Sequence, residues 1–148
     1  MGQAMNNQTE SSVLIPELLR DVDGRGSIVS IFEHPVANVS IIRSKAGVIR
    51  SNHYHKLDYH FIYVLEGQCE YFFGPDNVNL ENLQHVEVTA GSTIFTPPGE
   101  WHATFFPIDT LIVVGSKNPR DQATYEADTI RRTLITNDMV LDLLNRFM

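Results

Sequence analysis

Cysteine is nearly absent from this chain, which has Cys69 alone among its 148 residues. A single cysteine forms no intrachain disulfide and cannot supply the paired thiolates of a CxxC zinc site. Any metal site in the chain must therefore use histidine, aspartate or glutamate side chains.

Basic residues are also scarce. There are 11 lysines and arginines against 18 aspartates and glutamates, which gives a net charge of -7. No basic cluster is larger than the pair Arg131–Arg132. Binding along a nucleic-acid backbone needs a basic track, so we expect no nucleic-acid partner.

Long hydrophobic runs are missing as well. The aliphatic run LIVV at 111–114 is far too short to span a bilayer. The N-terminal stretch MGQAMNNQTESS has no apolar segment of the kind found in signal peptides. We therefore expect no membrane partner and a cytoplasmic location.

Short β-branched and aromatic runs fill the chain from residue 27 to residue 115, separated by Gly, Pro or Asn. This pattern is typical of an all-β sandwich or barrel. We expect a flexible tail at 1–12, a β-barrel at 13–118 and a C-terminal extension at 119–148. Within the extension, a helical period predicts one short helix through Met139, Val140, Leu143, Leu144 and Phe147.

The stretch HFIYVLEGQCEYFF, residues 60–73, predicts a β-hairpin that turns at Glu66–Gly67. In that register His60 lies opposite Phe73, and Ile62 lies opposite Tyr71. Cross-strand partners share a face, so Tyr71 and Phe73 are expected on the same side of the sheet as His60.

Three of the six histidines lie within HYHKLDYH, residues 53–60. His53 and His55 are two positions apart, so on an extended strand both rings project from one face and can converge on one ion. The intervening KLDY is long enough to turn the chain and bring His60 near, and TPPGEWH delivers His102 after a rigid turn. The competing interpretation is that such histidines are solvated or bind buried carbonyls.

Two further histidines and the single tryptophan are expected outside this group. His34 in EHP and His85 in LQHVEV lie in loop-like sequence and are expected at the surface. Trp101, next to His102, should point away from the barrel interior because neighbours on a strand alternate.

Two stretches resemble the two motifs of the cupin superfamily. The first, GVIRSNHYHKLDYHFIYVLEG at 47–67, matches at Gly47, His53, His55 and Gly67. The second, GSTIFTPPGEWHATFF at 91–106, matches at Gly91, Pro97, Gly99 and His102. The resemblance covers about residues 40–115. It implies a single-domain jelly-roll barrel, a double-stranded β-helix that is usually a homodimer, with a metal at its mouth and a small ligand inside.

Two positions depart from the family pattern. His60 stands where the family usually has a glutamate, and Phe106 replaces the asparagine that closes the second motif. The resemblance therefore implies one divalent transition metal (Zn, Ni, Fe, Mn or Co) held by His53, His55, His60 and His102. Four neutral ligands would leave the ion its full charge and make it a strong Lewis acid. Alternatively, His60 is a base beside a three-histidine metal.

The fold does not select the chemistry. DVDGRGSIVSIFE at 21–33 and the later NPRDQATYEAD resemble small cupins of bacterial sugar-nucleotide and surface-polysaccharide pathways, including ketoisomerases and epimerases of deoxyhexoses. This resemblance implies a metal-dependent isomerase or epimerase that acts on a sugar or sugar nucleotide. His60 and Tyr71 are then the candidate catalytic bases. Arg50 would bind a substrate phosphate or carboxylate, although strict alternation from His53 points it away from the interior.

Two other functions use the same residues. In an iron-dependent dioxygenase, Tyr71, Phe73 and Phe106 would form an apolar wall that keeps water out. Phe73 is also expected to bind the substrate, together with Arg50. In a non-catalytic cupin, the site would only bind a metal and a small ligand. An open coordination position with a proton-transfer group nearby would favour an enzyme.

Overall fold

The computed structural model describes residues 13–146. It contains two five-stranded antiparallel sheets, which we name sheet A and sheet B, and a separate two-stranded ribbon. The strands are β1 (Val13–Pro16), β2 (Leu18–Asp23), β3 (Gly26–Ser30), β4 (Asn38–Ser44), β5 (Ile49–His55), β6 (His60–Glu66), β7 (Gln68–Gly74), β8 (Gln84–Thr89), β9 (Ser92–Thr96), β10 (Trp101–Phe105), β11 (Thr110–Ser116) and β12 (Thr129–Arg131). The helices are a 3-10 turn (Leu80–Asn82), α1 (Gln122–Asp128) and α2 (Asn137–Asn145).

Sheet A has the strand order β1-β9-β6-β11-β4, and sheet B has the order β12-β5-β10-β7-β8. The two sheets enclose one apolar core, because the inward side chains of both are buried together; its members include Ile62, Val64, Tyr71, Val88, Ile94, Phe106, Ile112 and Val114. The predicted all-β jelly-roll class with a short C-terminal helix is confirmed. The expected flexible tail at 1–12 and the side chain of Phe147 lie outside the described residues.

The predicted hairpin at Glu66–Gly67 is wrong. β6 pairs with β9 and β11 in sheet A, whereas β7 pairs with β8 and β10 in sheet B. The chain therefore changes sheets at Gly67, whose φ is 100°. A Cβ at this glycine would lie 2.4 Å from Thr110 Oγ1, so the corner needs both the close approach and the backbone freedom of glycine. Tyr71 still faces the interior, because sheet B presents it across the barrel.

A β-bulge in β5 sets the direction of the side chains around the site. Ser51 and Asn52 have positive φ values of 76° and 58°, and the pairing with β10 shifts by one residue at this point. His53 lies opposite His102, and Arg50 lies opposite Thr104. Opposite residues share a face, so the bulge turns Arg50 to the same inward face as His53. The expectation that strict alternation points Arg50 away from the interior is therefore wrong.

The C-terminal extension covers the outer face of sheet B. Leu134, Ile135, Val140 and Leu143 pack there in a second apolar cluster that includes Trp101. Trp101 points away from the barrel interior as predicted, yet it is buried and its Nε1 donates to the carbonyl of Asp76 at 2.9 Å. Neither α1 nor β12 was predicted from the sequence.

The ribbon of β2 and β3 stands apart from this packing. Its strands pair only with each other among residues 13–146, and every residue of β2 is exposed. Leu19 lies opposite Val29, and Val22 lies opposite Ser27, so Leu19, Val22 and Val29 form one exposed apolar face. No helix within the described residues is long and apolar enough to cross a membrane.

Candidate active site and metal centre

A cavity of about 140 Å³ lies between the sheets. Its wall includes five of the predicted site residues, which are Arg50, His53, His60, Tyr71 and His102. Arg50 is exposed, which marks the solvent side of the cavity, whereas Val88, Ile94 and Phe106 are almost fully buried and mark its apolar interior.

Phe73 was predicted to bind substrate, but it is not among the described residues that line this cavity. It packs in the core with its ring 5.5 Å from that of Tyr71. Tyr71 and Phe106, the other two aromatic residues of the predicted apolar wall, do line the cavity.

Three of the predicted metal ligands meet at one point. One ring nitrogen from each of His53, His55 and His102 lies within 4.8 Å of the corresponding nitrogens of the other two residues. β5 supplies the first two side chains and β10 supplies the third, and all three residues are buried. The spacing of the nitrogens is short enough for one ion to contact all three.

The hydrogen bonds of His55 and His102 leave one ring nitrogen of each residue with a free lone pair. The hydroxyl of Thr129 donates its only proton to the carbonyl of Tyr125 at 2.6 Å, so its oxygen accepts from His55 Nδ1 at 3.3 Å. His102 Nδ1 lies 3.1 Å from the carbonyl of Glu100, which can only accept. Both rings therefore carry their proton on Nδ1 and a lone pair on Nε2. The Nε2 atom of His55 is buried without any hydrogen-bond partner.

The same three rings are held neutral. Burial, together with the neighbouring histidines His102 and His55, moves the pKa of His53 far below its usual value. Burial and the nearby His60 lower the pKa of His55 to about 4. Burial also lowers the pKa of His102 to about 3, against the opposing effect of its bond to Glu100. Neutral imidazole is the form that binds metals, so the donor set fits a divalent transition metal.

His60 has a different partner. Its Nε2 lies 3.0 Å from Oδ2 of Asp58, and both side chains are buried. Burial alone would raise the pKa of Asp58, but the hydrogen bonds from His60 and from the N–H of Asn118 bring that pKa below its usual value. Asp58 is therefore a carboxylate that accepts the Nε2 proton of His60. The Nδ1 atom of His60 is left with a lone pair.

His60 thus belongs to a second group of possible ligand atoms. This group consists of His55, Asp58 and His60, again within 4.8 Å of one another. The rings of His55 and His60 are 4.5 Å apart. His60 is near the three-histidine point, but its best-defined contact is the carboxylate of Asp58, a residue that the sequence analysis did not single out.

Whereas His60 lies on β6 in sheet A, Tyr71 lies on β7 in sheet B. Its hydroxyl is 2.7 Å from Oγ1 of Thr96, and its ring stacks on His102 with centroids 6.0 Å apart. Cys69 is two residues away on the same strand and also faces the cavity. Burial raises the pKa of its thiol to about 12, so Cys69 is a neutral part of the wall.

The C-terminal extension adds residues that sequence reasoning missed. Tyr125 of α1 and Arg120 before it both line the cavity, and the guanidinium of Arg120 lies 5.1 Å from the centre of the Tyr125 ring. Tyr125 is also 5.4 Å from the ring of His55. The only sequence signal was their place in NPRDQATYEAD, since no motif marks either residue.

The last two histidines lie away from the cavity. His34 is exposed, as predicted, and stacks on Phe61. The prediction for His85 is wrong: it lies on β8, is largely buried, and its Nε2 contacts Oε1 of Glu70 at 2.8 Å. A carboxylate on the neighbouring strand, invisible in the local sequence, stabilises the buried ring.

The described chain is a jelly-roll barrel with a histidine-lined cavity, and a family comparison bears on this arrangement. The cupin domain profile matches residues 41–110. This match confirms the predicted resemblance to the cupin superfamily. No curated protein matches the chain.

Three solved structures have the same fold. A mutant of the 3,4-ketoisomerase QdtA from Thermoanaerobacterium thermosaccharolyticum, in complex with TDP-4-keto-6-deoxyglucose, is 16% identical; the match covers 82% of this chain and 88% of that chain, with a TM-score of 0.66. A 3,4-ketoisomerase from Helicobacter canadensis is 17% identical, with 90% and 97% covered and a TM-score of 0.67. The dTDP-4-dehydrorhamnose 3,5-epimerase from Sulfolobus tokodaii is 18% identical, with 84% and 80% covered and a TM-score of 0.65. At these identities the likeness establishes the fold alone.

Proposed function

We propose that the protein is an isomerase or epimerase that acts on a keto sugar linked to a nucleotide. The contact of His60, a residue of the cavity wall, with the buried carboxylate of Asp58 carries this proposal, because a histidine oriented by a carboxylate is suited to move a proton. The solved structures named above support it, since their descriptions specify sugar-nucleotide isomerases and an epimerase.

The size of the cavity favours one sugar ring inside the barrel. Its volume of about 140 Å³ is well below the roughly 300–1,000 Å³ of pockets that enclose a drug-sized ligand. A nucleotide would therefore extend into solvent past Arg50 and Arg120, the two exposed cations of the wall. Guanidinium groups bind phosphate oxygens well, which suits a phosphate near either arginine, although Arg50 already donates to Ser44 Oγ at 2.7 Å and to the carbonyl of Arg43 at 3.0 Å.

The proton transfer follows from the tautomer of His60. Its Nδ1 lone pair takes the proton from the carbon next to the keto group, and the C–H electron pair forms the double bond of an enediolate. The carboxylate of Asp58 stabilises the resulting imidazolium. Return of the proton to the other carbon, with transfer of a hydroxyl proton between the two oxygens, completes an isomerisation. Delivery of a second proton to the same carbon from the opposite face gives an epimerisation, for which the Tyr71 hydroxyl is the candidate donor; the His60 imidazolium then loses its proton to solvent and the Tyr71 phenolate regains one.

We further propose that His53, His55 and His102 hold one divalent transition metal. Their neutral rings and the unpartnered Nε2 of His55 support this proposal. An ion bound there would polarise a substrate oxygen. Imidazole nitrogen suits Zn, Ni, Fe and Co better than Mn. Coordination by His60 as a fourth ligand stays a prediction, which competes with its role as the base.

The decisive experiment is proton exchange on a defined substrate. The protein is incubated with TDP-4-keto-6-deoxyglucose in D2O, and proton NMR follows both the loss of the proton next to the keto group and the appearance of an isomeric sugar. We expect exchange in the wild type and almost none in His60→Gln. His85→Gln is the matched control, because it removes a largely buried histidine outside the cavity. Absence of exchange in metal-loaded wild type would refute the proposal.

Elemental analysis by mass spectrometry of untagged protein tests the metal. We expect about one equivalent of a transition metal, lost in the His53→Ala/His55→Ala double variant. Iron together with substrate-dependent oxygen consumption would instead favour the dioxygenase. Tight binding of the sugar nucleotide without exchange or oxygen uptake would favour the non-catalytic binding protein.

We also propose that a second copy of the chain covers the β2–β3 ribbon. Val22 on the ribbon is 63% exposed, and Val39 and Ile41 on the edge strand β4 are 59% and 67% exposed. A symmetric dimer buries two such patches through one repeated contact. Val22, Val39 and Ile41 would form the apolar centre of the interface. A stable dimer typically buries roughly 800 Å² per partner.

Sedimentation velocity tests this assembly. We expect a dimer for the wild type and a monomer for Val22→Asp. Leu141→Asp is the control, because Leu141 is 70% exposed on α2 and lies on neither patch, so this variant should stay dimeric. A monomeric wild type at micromolar concentration would refute the assembly.

A further inference from the structure

Asp128, the last residue of α1, binds the loop between β5 and β6. Its Oδ1 accepts the N–H of Leu57 at 2.9 Å, and its Oδ2 accepts the N–H of Asp58 at 3.0 Å. Its backbone carbonyl accepts the N–H of Lys56 at 2.9 Å. One buried residue therefore binds three consecutive N–H groups of this loop.

This loop fixes the direction of the Asp58 side chain. Asp58 Oδ2 contacts His60 at 3.0 Å, and its Oδ1 accepts the N–H of Asn118 at 3.0 Å. A carboxylate has acceptor sites on both oxygens and can bind two N–H donors at once, whereas the side-chain amide of asparagine has only one acceptor oxygen and places an NH2 against the second donor. The pair of bonds from Leu57 and Asp58 therefore favours a carboxylate over an amide at position 128.

We propose that Asp128 is a positioning residue that sets the geometry of the Asp58–His60 contact from outside the cavity. Asp128 does not line the cavity in the described structure. It reaches Asp58 through the backbone of residues 56–58, and its Oδ2 also lies 4.0 Å from Nδ1 of His55. This inference rests on the proposed function for its effect on turnover, but its effect on the tautomer of His60 does not depend on any substrate. The C-terminal extension thereby takes part in the proton transfer.

The test compares Asp128→Asn with a matched control on the same helix. Asp121 caps α1 by accepting the N–H of Thr124 at 3.0 Å, so Asp121→Asn also weakens an aspartate contact of α1 while leaving residues 56–58 untouched. Both variants are compared with the wild type as the full chain. The measurements are melting temperature, kcat and KM for the sugar nucleotide, and nitrogen-15 NMR of the histidine rings in metal-free protein.

We expect Asp128→Asn to lower kcat at least tenfold with KM changed less than threefold. We also expect the His60 signal to shift from a single Nε2–H tautomer to a mixture. Asp121→Asn should keep both the tautomer and kcat, even if its melting temperature falls as far. An unchanged His60 signal in Asp128→Asn would overturn the inference, as would an equal loss of kcat in the control at equal destabilisation.

The outcome separates this inference from the proposed function. If the wild type turns over no sugar nucleotide, the proposed function fails, and the His60 spectrum alone decides the role of Asp128. If Asp128→Asn does not fold by circular dichroism, Asp128→Glu takes its place. The longer side chain keeps the charge but displaces the carboxylate, so the tautomer should again become mixed, and a wild-type spectrum would overturn the inference.

Discussion

His60 lines the cavity, and its Nε2 lies 3.0 Å from Oδ2 of the buried Asp58. The carboxylate accepts a hydrogen bond from Nε2–H and leaves the lone pair on Nδ1. This contact gives His60 a defined tautomer, which a histidine surrounded only by apolar groups would lack.

Removing the charge of Asp58 tests this relationship. In Asp58→Asn the side-chain amide can face His60 with either its oxygen or its NH2, so the tautomer is no longer fixed and the imidazolium loses its counter-charge. We expect kcat to fall by about 100-fold or more, within the range of general acid–base catalysis, while KM changes little. Steady-state kinetics on the sugar nucleotide measures both constants. A kcat within threefold of the wild type would show that the carboxylate is not needed.

His102 supplies one of the three nitrogens at the metal point. We expect His102→Ala to lose most of the bound metal while its β-rich circular dichroism survives, because the barrel core is largely aliphatic and aromatic. Mass spectrometry of the purified variants measures the metal. His85→Ala is the control, since it also removes a largely buried histidine. Full occupancy in His102→Ala would show that His102 is not a ligand.

The buried histidines predict how stability depends on pH in metal-free protein. The pKa values of His55 and His102 in the folded chain are about 4 and about 3, below the roughly 6.5 of an unfolded histidine. Between these values the unfolded chain binds more protons, so the free energy of unfolding falls as the pH falls from about 6.5 toward 4. Urea denaturation across this range measures the slope, which should be smaller in His55→Gln. A flat profile would contradict the lowered pKa values.

Gly67 should be intolerant of a side chain. A Cβ would lie 2.4 Å from Thr110 Oγ1 and 2.7 Å from the carbonyl oxygen of Asp109, at a φ of 100°. We expect Gly67→Ala to lose about 2 kcal/mol or more of unfolding free energy, from backbone strain and overpacking together. Gly24→Ala is the control, because a Cβ there meets no atom within 4 Å. Equal urea midpoints for the two variants would contradict the tight corner at Gly67.

The sequence predicted the β class well because alternation and turn residues are local signals. His53, His55 and His102 were selected by spacing, and the structure brings them together. The partner strands of β6 and β7 could not be predicted in this way. A glycine between two apolar runs is compatible with a hairpin and with a change of sheet, and only the approach of Thr110 from a distant strand distinguishes the two.

The parts of the site that sequence reasoning missed depend on contacts between distant residues. Asp58 was one acidic residue in KLDY, and its role depends on where His60 and Asn118 lie in space. Arg50 was assigned to the wrong side because alternation assumes a regular strand, whereas Ser51 and Asn52 adopt positive φ values. Tyr125 required a helix that no strong periodicity indicated.

The bulge at Ser51–Asn52 also joins the barrel to its C-terminal extension. The side-chain oxygen of Asn52 accepts the N–H groups of Leu134 and Ile135, and its Nδ2 donates to the carbonyl of Ile135. The backbone distortion that aims Arg50 into the cavity is thus held by a segment more than 80 positions downstream. A minimal barrel excised at the end of β11 would lose that anchor, so protein engineers who want this cavity must transplant residues 117–146 with it.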